Sequence, residues 1–167
     1  MKKMTEDNVK AALAGESQAH IKYLAFATKA GVDKLPNIAR AFSAAALSEQ
    51  IHASNHLKTL GGVKATADNL ADARGGENFE VEEMYPAYLK VAEAQGEKTA
   101  LTYFNYAFQA EKVHRGIYER AREAVAKGQD LPAVPIHVCG VCGFTMEGTA
   151  PDKCPVCGTP KSKFTAF

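Results

Sequence analysis

The chain has 167 residues, and its 20 basic and 19 acidic side chains leave a net charge of +1. That balance gives no electrostatic footprint for nucleic acid or an anionic membrane surface, and no run is apolar enough to span a bilayer. Acids follow the two N-terminal lysines where an export signal needs an apolar stretch, so the expected compartment is the cytoplasm.

Residues 1–128 read as helix, rich in Ala, Leu, Glu and Lys, with apolar positions recurring every three or four residues. The first helix starts at Thr5-Glu6-Asp7 and stops at Gly31. The second carries Pro36 in its first turn and ends at Gly61-Gly62. From Gly61 to Asn78 runs a link of Gly, Ala, Asp and Asn, long enough to cross a bundle from end to end. A third helix begins near Phe79 and stops at Gly96, and a fourth runs from about Glu97 to Gly128. Short connections make hairpins of helices one and two and of helices three and four. Two hairpins joined by one long crossover form an all-α, ferritin-like four-helix bundle. Residues 129–135 then read as a linker, and 136–167 as a small domain dominated by Gly, Pro and Cys.

Several glutamates in these helices fall among apolar neighbours. Glu49/His52 and Glu111/His114 are two Glu-x-x-His pairs, and residues three apart share a helix face. Each pair follows a lone glutamate: Glu16 is 33 residues before Glu49, and Glu80 is 31 before Glu111. Counted from the hairpin turns, each lone glutamate stands level with its pair. Four clustered carboxylates repel one another unless cations lie between them, and two ferrous ions match their charge. One Glu-x-x-His alone is a short motif common on solvated surfaces; its duplication with level partners points to a di-iron site. His20 and His56 lie one turn beyond Glu16 and His52 and read as core or supporting histidines. Tyr23, on the face of Glu16, is either a hydrogen-bond partner of a ligating carboxylate or a packed core residue.

All four cysteines lie in two Cys-x-x-Cys knuckles, Cys139/Cys142 and Cys154/Cys157, with 11 residues between them. Four thiolates so spaced suit tetrahedral zinc or a single iron, and spacing alone favours structural zinc. The attached di-iron site needs a source of electrons, which zinc is unable to supply, and this tips the reading to iron, with zinc as a substitute in recombinant protein. Phe144 and Phe164 are the expected mini-core around the knuckles.

In Gly15-Glu16-Ser17-Gln18-Ala19, the Glu49/His52 pair, Glu80-Val81-Glu82-Glu83-Met84-Tyr85-Pro86, the Glu111/His114 pair and both knuckles, the chain resembles the rubrerythrin family over essentially its whole length. The resemblance implies a di-iron bundle with a C-terminal rubredoxin-like domain, and reduction of hydrogen peroxide to water as protection against oxidative stress. It implies electrons arriving from a reduced pyridine nucleotide through a reductase, and often a free rubredoxin, at the thiolate-bound iron and then the di-iron site. It also implies a seventh ligand at Glu83, which holds one iron when oxidised and gives way to His52 on reduction. The residues are compatible with that exchange. Glu80 and Glu83 share a face and supply a fifth carboxylate, which a diferrous cluster does not need and an oxo-bridged diferric one tolerates. Pro86 removes a helical hydrogen bond, which either loosens the turn beside Glu83 or marks a helix that begins late.

Two other readings compete: a ferroxidase or oxygen-reducing enzyme on the same bundle, and an iron-binding module with a structural zinc ribbon. The route of the electrons has its own expectation. His114 lies 14 residues before Gly128, so the helix end is roughly 21 Å from the site. Unless the linker folds back fully, the cysteine domain stays at the bundle's end. Transfer would then run between the chains of a head-to-tail homodimer.

Overall fold

The computed structural model describes residues 1–167 throughout. They form two compact units, Met1–Lys64 and Ala65–Phe167.

The first unit is a hairpin of α1 (Lys3–Val32) and α2 (Pro36–Thr59), packed side by side. Its turn is short: the Leu35 amide donates back to the Ala30 carbonyl at 2.9 Å. Pro36 then opens α2 at a position where its missing N–H costs nothing. Alanines line the closest approach, with Ala30 and Ala46 buried. Near the turn, Phe26 and Phe42 meet edge to face, their centroids 5.4 Å apart.

The second unit begins with a departure from the sequence reading. Residues 61–78 are not an extended crossover, because Thr66–Phe79 is a helix, α3. Gly75 and Gly76 each weaken a helix by about 1 kcal/mol, which made the segment look like a link. Contacts with α5 (Lys98–Ala126) override that preference. Arg74 Nε donates to Glu119 Oε2 at 2.6 Å, and Arg115 bonds Asn78 and Glu82.

The chain then makes a π-helical turn over Glu80–Met84 before α4 (Tyr85–Gln95). Pro86 explains its position. It has no N–H to offer the Glu82 carbonyl, and the Tyr85 amide reaches back five residues to the Glu80 carbonyl instead. The disturbance foreseen at Pro86 is this turn. Val81, Ala92, Ala110, Ile117 and Ala121 are buried among these helices, beside a cluster of Tyr85, Tyr88, Phe104 and Phe108.

The C-terminal residues form a three-stranded antiparallel sheet in the order β2 (Thr145–Glu147), β1 (Ile136–Cys139), β3 (Phe164–Ala166). Phe144 and Phe164 are half-buried there, and Phe164 pairs with Cys139 across the sheet. The two knuckles share one turn geometry. Gly143 (φ 77°) and Gly158 (φ 74°) sit in the left-handed region, and their amides donate to the carbonyls of Cys139 and Cys154 at 2.9 Å.

The sheet does not stay at the end of α5, contrary to the expectation drawn from linker length. The Gln129 amide bonds the Ala124 carbonyl and the Gly148 amide bonds that of Pro135, at 3.0 and 2.8 Å, so the linker doubles back. β2 then lies along α5, with Arg120 paired to Glu147 and Thr145 beside His114. The cysteine domain thus lies beside His114 of its own chain, and distance does not require transfer between chains. No helix is long and apolar enough to cross a membrane.

Candidate metal centres

In the hairpin unit, α1 supplies Glu16 while one face of α2 supplies Glu49 and His52. One ligand atom from each lies within 4.8 Å of the others. His52 Nδ1 is 3.0 Å from Glu49 Oε2 and 3.9 Å from Glu16 Oε1. The two carboxyls pull each other's pKa in opposite directions. The hydrogen bond to Glu49 raises the pKa of Glu16, aided by burial and the charge of Glu49, and the same bond, with one from His52, lowers that of Glu49. His20 is outside the triad, with Nδ1 donating to the Ala46 carbonyl at 2.8 Å. His56 is also outside it, near enough for its charge to favour ionised Glu16. Tyr23 packs against Phe26 and Phe42, with ring centroids at 6.2 Å.

The second unit holds a matching triad of Glu77, Glu111 and His114, again within 4.8 Å. His114 Nδ1 is 2.6 Å from Glu111 Oε2 and 3.7 Å from Glu77 Oε1. Burial, then the hydrogen bond and charge of Glu111, push Glu77 up to about 7. Burial also works to raise Glu111, but hydrogen bonds from His114 and Glu77 outweigh it and hold Glu111 low. The bond to Glu111 raises His114. Glu77 Oε2 is buried with no hydrogen-bond partner, an orphan that a cation in the triad would satisfy.

Glu77 is not among the residues singled out from the sequence. Glu80, assigned that place, is half-buried nearby, its carboxyl pushed up by burial and then by the charge of Glu111. Glu83 is exposed and joins neither triad. The displacement follows from the early start of α3 and from the π turn, which puts one extra residue into the helical phase. The spacing Glu77-x-x-Glu80 was the available signal, hidden by reading Gly75-Gly76 as part of a link. Two further tyrosines adjoin the triad. Burial pushes both phenols up, followed by the charges of Glu111, Glu80 and Glu77 at Tyr85 and of Glu77 and Glu111 at Tyr118.

The four cysteines form the third cluster, Cys139 and Cys154 buried and the other two half-buried. Sγ–Sγ separations of 3.7 Å (Cys139–Cys157) and 3.6 Å (Cys142–Cys154) are too long for disulfides. They match the edge, about 3.8 Å, of a thiolate tetrahedron around a metal at about 2.3 Å. Burial resists ionisation of Cys139, but the backbone amides of Cys142 and Val141 overcome it and bring its pKa to about 7. Burial raises Cys142 and Cys157, as expected of a cluster in which thiols share protons until a cation replaces them.

The Rubrerythrin family model matches residues 7–122, and the model described as "Rubrerythrin, rubredoxin-like domain" matches residues 137–165. Rubrerythrin-2 of Clostridium acetobutylicum is 39% identical, over 98% of this chain and 97% of its own. Nigerythrin of Nitratidesulfovibrio vulgaris is 36% identical over 98% and 86%. Among solved structures, the fully reduced, all-ferrous state of nigerythrin aligns with a TM-score of 0.56 at 33% identity, covering 98% of this chain and 86% of that one.

Proposed function

The chain belongs to the rubrerythrin family, with a ferritin-like and a rubredoxin-like part, and from that premise we propose that it is a peroxidase. In this reading it reduces hydrogen peroxide to water at a di-iron centre and draws its electrons through an iron held by Cys139, Cys142, Cys154 and Cys157. The observation that carries it is the duplicated triad of one glutamate plus Glu-x-x-His. Glu16, Glu49 and His52 supply one set of di-iron ligands and Glu77, Glu111 and His114 the other, with Glu80 as the surplus carboxylate. Residues 1–128 then carry the di-iron chemistry, 129–135 the connection and 136–167 the relay. Free thiols suit a reducing compartment, the cytoplasm. The electron donor is a reductase for a reduced pyridine nucleotide, acting directly or through free rubredoxin.

When bound, two ferrous ions supply the two electrons that cleavage of the O–O bond consumes, and the thiolate-held iron restores them singly. The protein's own groups do the rest. His52 and His114 both aim Nδ1 at the carboxylates, so a metal taken up there by Nδ1 would leave each ring proton on Nε2. The reaction takes up two protons, and Glu80, its carboxyl pushed up by burial and then by the charge of Glu111, stands where it can hand one over.

The test compares peroxide with dioxygen on anaerobic, iron-loaded, reduced protein. Peroxide should oxidise the di-iron centre faster, and Glu111→Ala should abolish this while the colour of the ferric thiolate site remains. Faster turnover with dioxygen would support an oxidase instead, and a colourless cysteine site would support structural zinc.

A further inference from the structure

Thr145 is the one buried polar residue outside the cysteine and carboxylate clusters, 4% exposed. It opens β2, two residues beyond the knuckle glycine Gly143. Its Oγ1 lies 2.7 Å from His114 Nε2, and the hydroxyl donates to the Gly143 carbonyl at 3.3 Å. His114 Nδ1 faces Glu111, so in the metal-bound form Nε2 carries the ring proton and donates it to Thr145. The bonded sequence from Cys142 to His114 is therefore Cys142-Gly143, the Gly143 carbonyl, the Thr145 hydroxyl and the imidazole. The surroundings agree. Tyr106, two helical turns before His114, is raised by burial and then by the charges of Cys157 and Cys142, so this face of α5 adjoins the thiolates. Arg120 pairs with Glu147 on the other side of the contact.

We propose that Thr145 is a positioning residue that joins the cysteine site to the His114 half-site of the same chain, and that reducing electrons cross there. The crossing rests on the peroxidase reading; the positioning of His114 does not. As acceptor of the Nε2 proton, Thr145 fixes the tautomer and plane of the imidazole. Through the Gly143 carbonyl it links that imidazole to the first knuckle. One electron leaves the thiolate-held iron, which passes from ferrous to ferric, and reduces one ferric ion at the half-site to ferrous. No proton moves in this step; peroxide is the terminal oxidant, and an external one-electron donor reduces the thiolate site again.

Thr145→Val keeps the shape and removes the hydroxyl, and Thr145→Ser restores it. Two readouts apply to full-length protein. In zinc-loaded samples, nitrogen NMR of His114 should show a slowly exchanging Nε2 proton in the wild type and in Thr145→Ser. In Thr145→Val that proton should exchange faster with water. In iron-loaded, fully reduced samples mixed anaerobically with peroxide, the ferric-thiolate colour should develop about 10–100-fold more slowly in Thr145→Val, the usual cost of removing a partner of a ligating histidine. Because His114 is itself a ligand, the colour rate is read relative to the initial oxidation of the di-iron centre in the same sample, and Thr145→Ser should recover that ratio. A wild-type colour rate in Thr145→Val, or a rate in Thr145→Ser as slow as in Thr145→Val, would overturn the crossing. If peroxide raises no colour even in the wild type, the peroxidase reading has failed, and proton exchange alone decides the positioning role. Unchanged exchange in Thr145→Val would overturn that role.

Discussion

Glu77 is the carboxyl of its unit least suited to its surroundings without a cation, with a buried oxygen that has no hydrogen-bond partner. Its pKa of about 7 lies above the ordinary 4.5, so the stability it contributes to metal-free protein is present below about 4.5 and lost as pH rises through 7. His114, also raised, acts in the same direction. The melting temperature of metal-free protein should therefore fall between pH 5 and pH 8, while affinity for ferrous iron should climb as the competing proton leaves. Glu77→Gln should flatten the stability profile and weaken iron binding. A melting temperature that rises with pH in the metal-free wild type would refute this account of Glu77. Both Glu-x-x-His pairs are legible in the sequence because three-residue spacing survives in any regular helix. Glu77 is not, because its place depends on a helix whose glycines argue against it and on tertiary contacts that outweigh them.

At the scale of elements, the π turn is the feature that local propensity conveys least. Pro86 announces a broken hydrogen bond, but whether the chain kinks, starts a helix or adds a residue to a turn is decided by what α5 accepts on its other side. Arg115, held by Asn78 and Glu82, and the ring cluster around Tyr85 anchor the segment on both flanks of Glu80–Met84. Pro86→Ala restores an amide able to bond the Glu82 carbonyl, so the turn should relax towards α-helix and rotate Glu80 relative to Glu77. Thermal stability should hold or increase, whereas affinity of the second triad for iron should drop about tenfold. Unchanged affinity would mean that the π turn does not set the carboxylate geometry. The knuckles are the opposite case. Four cysteines and the glycine after each pair specify their own turns, which makes them legible from spacing alone.

At the scale of the molecule, the placement of the cysteine domain separates chain length from chain path. Counting residues from His114 to the linker gives a true distance along α5, yet the linker reverses and brings β2 back to that histidine. No periodicity reports such a reversal; it depends on pairings such as Arg120 with Glu147, formed between segments far apart in sequence. It has a consequence for mixed assemblies of two inactive full-length variants, Glu111→Ala with an intact cysteine site and Cys142→Ala/Cys157→Ala with intact carboxylates. Verified co-assemblies of the two should stay inactive, because neither chain has both the cysteine site and the Glu111/His114 half-site. Recovery of peroxidase activity would show transfer between chains.

The proposed function requires three irons, in two kinds of site, that serve peroxide reduction. Its most direct test is an anaerobic titration of fully reduced, iron-loaded protein with hydrogen peroxide, followed by metal analysis and the visible spectrum. Expected are three irons per chain, oxidation complete at one and a half equivalents of peroxide, and ferric-thiolate colour that develops after the di-iron centre is oxidised. Zinc in the cysteine site of protein grown with ample iron, or reduced irons that peroxide leaves untouched, would contradict it.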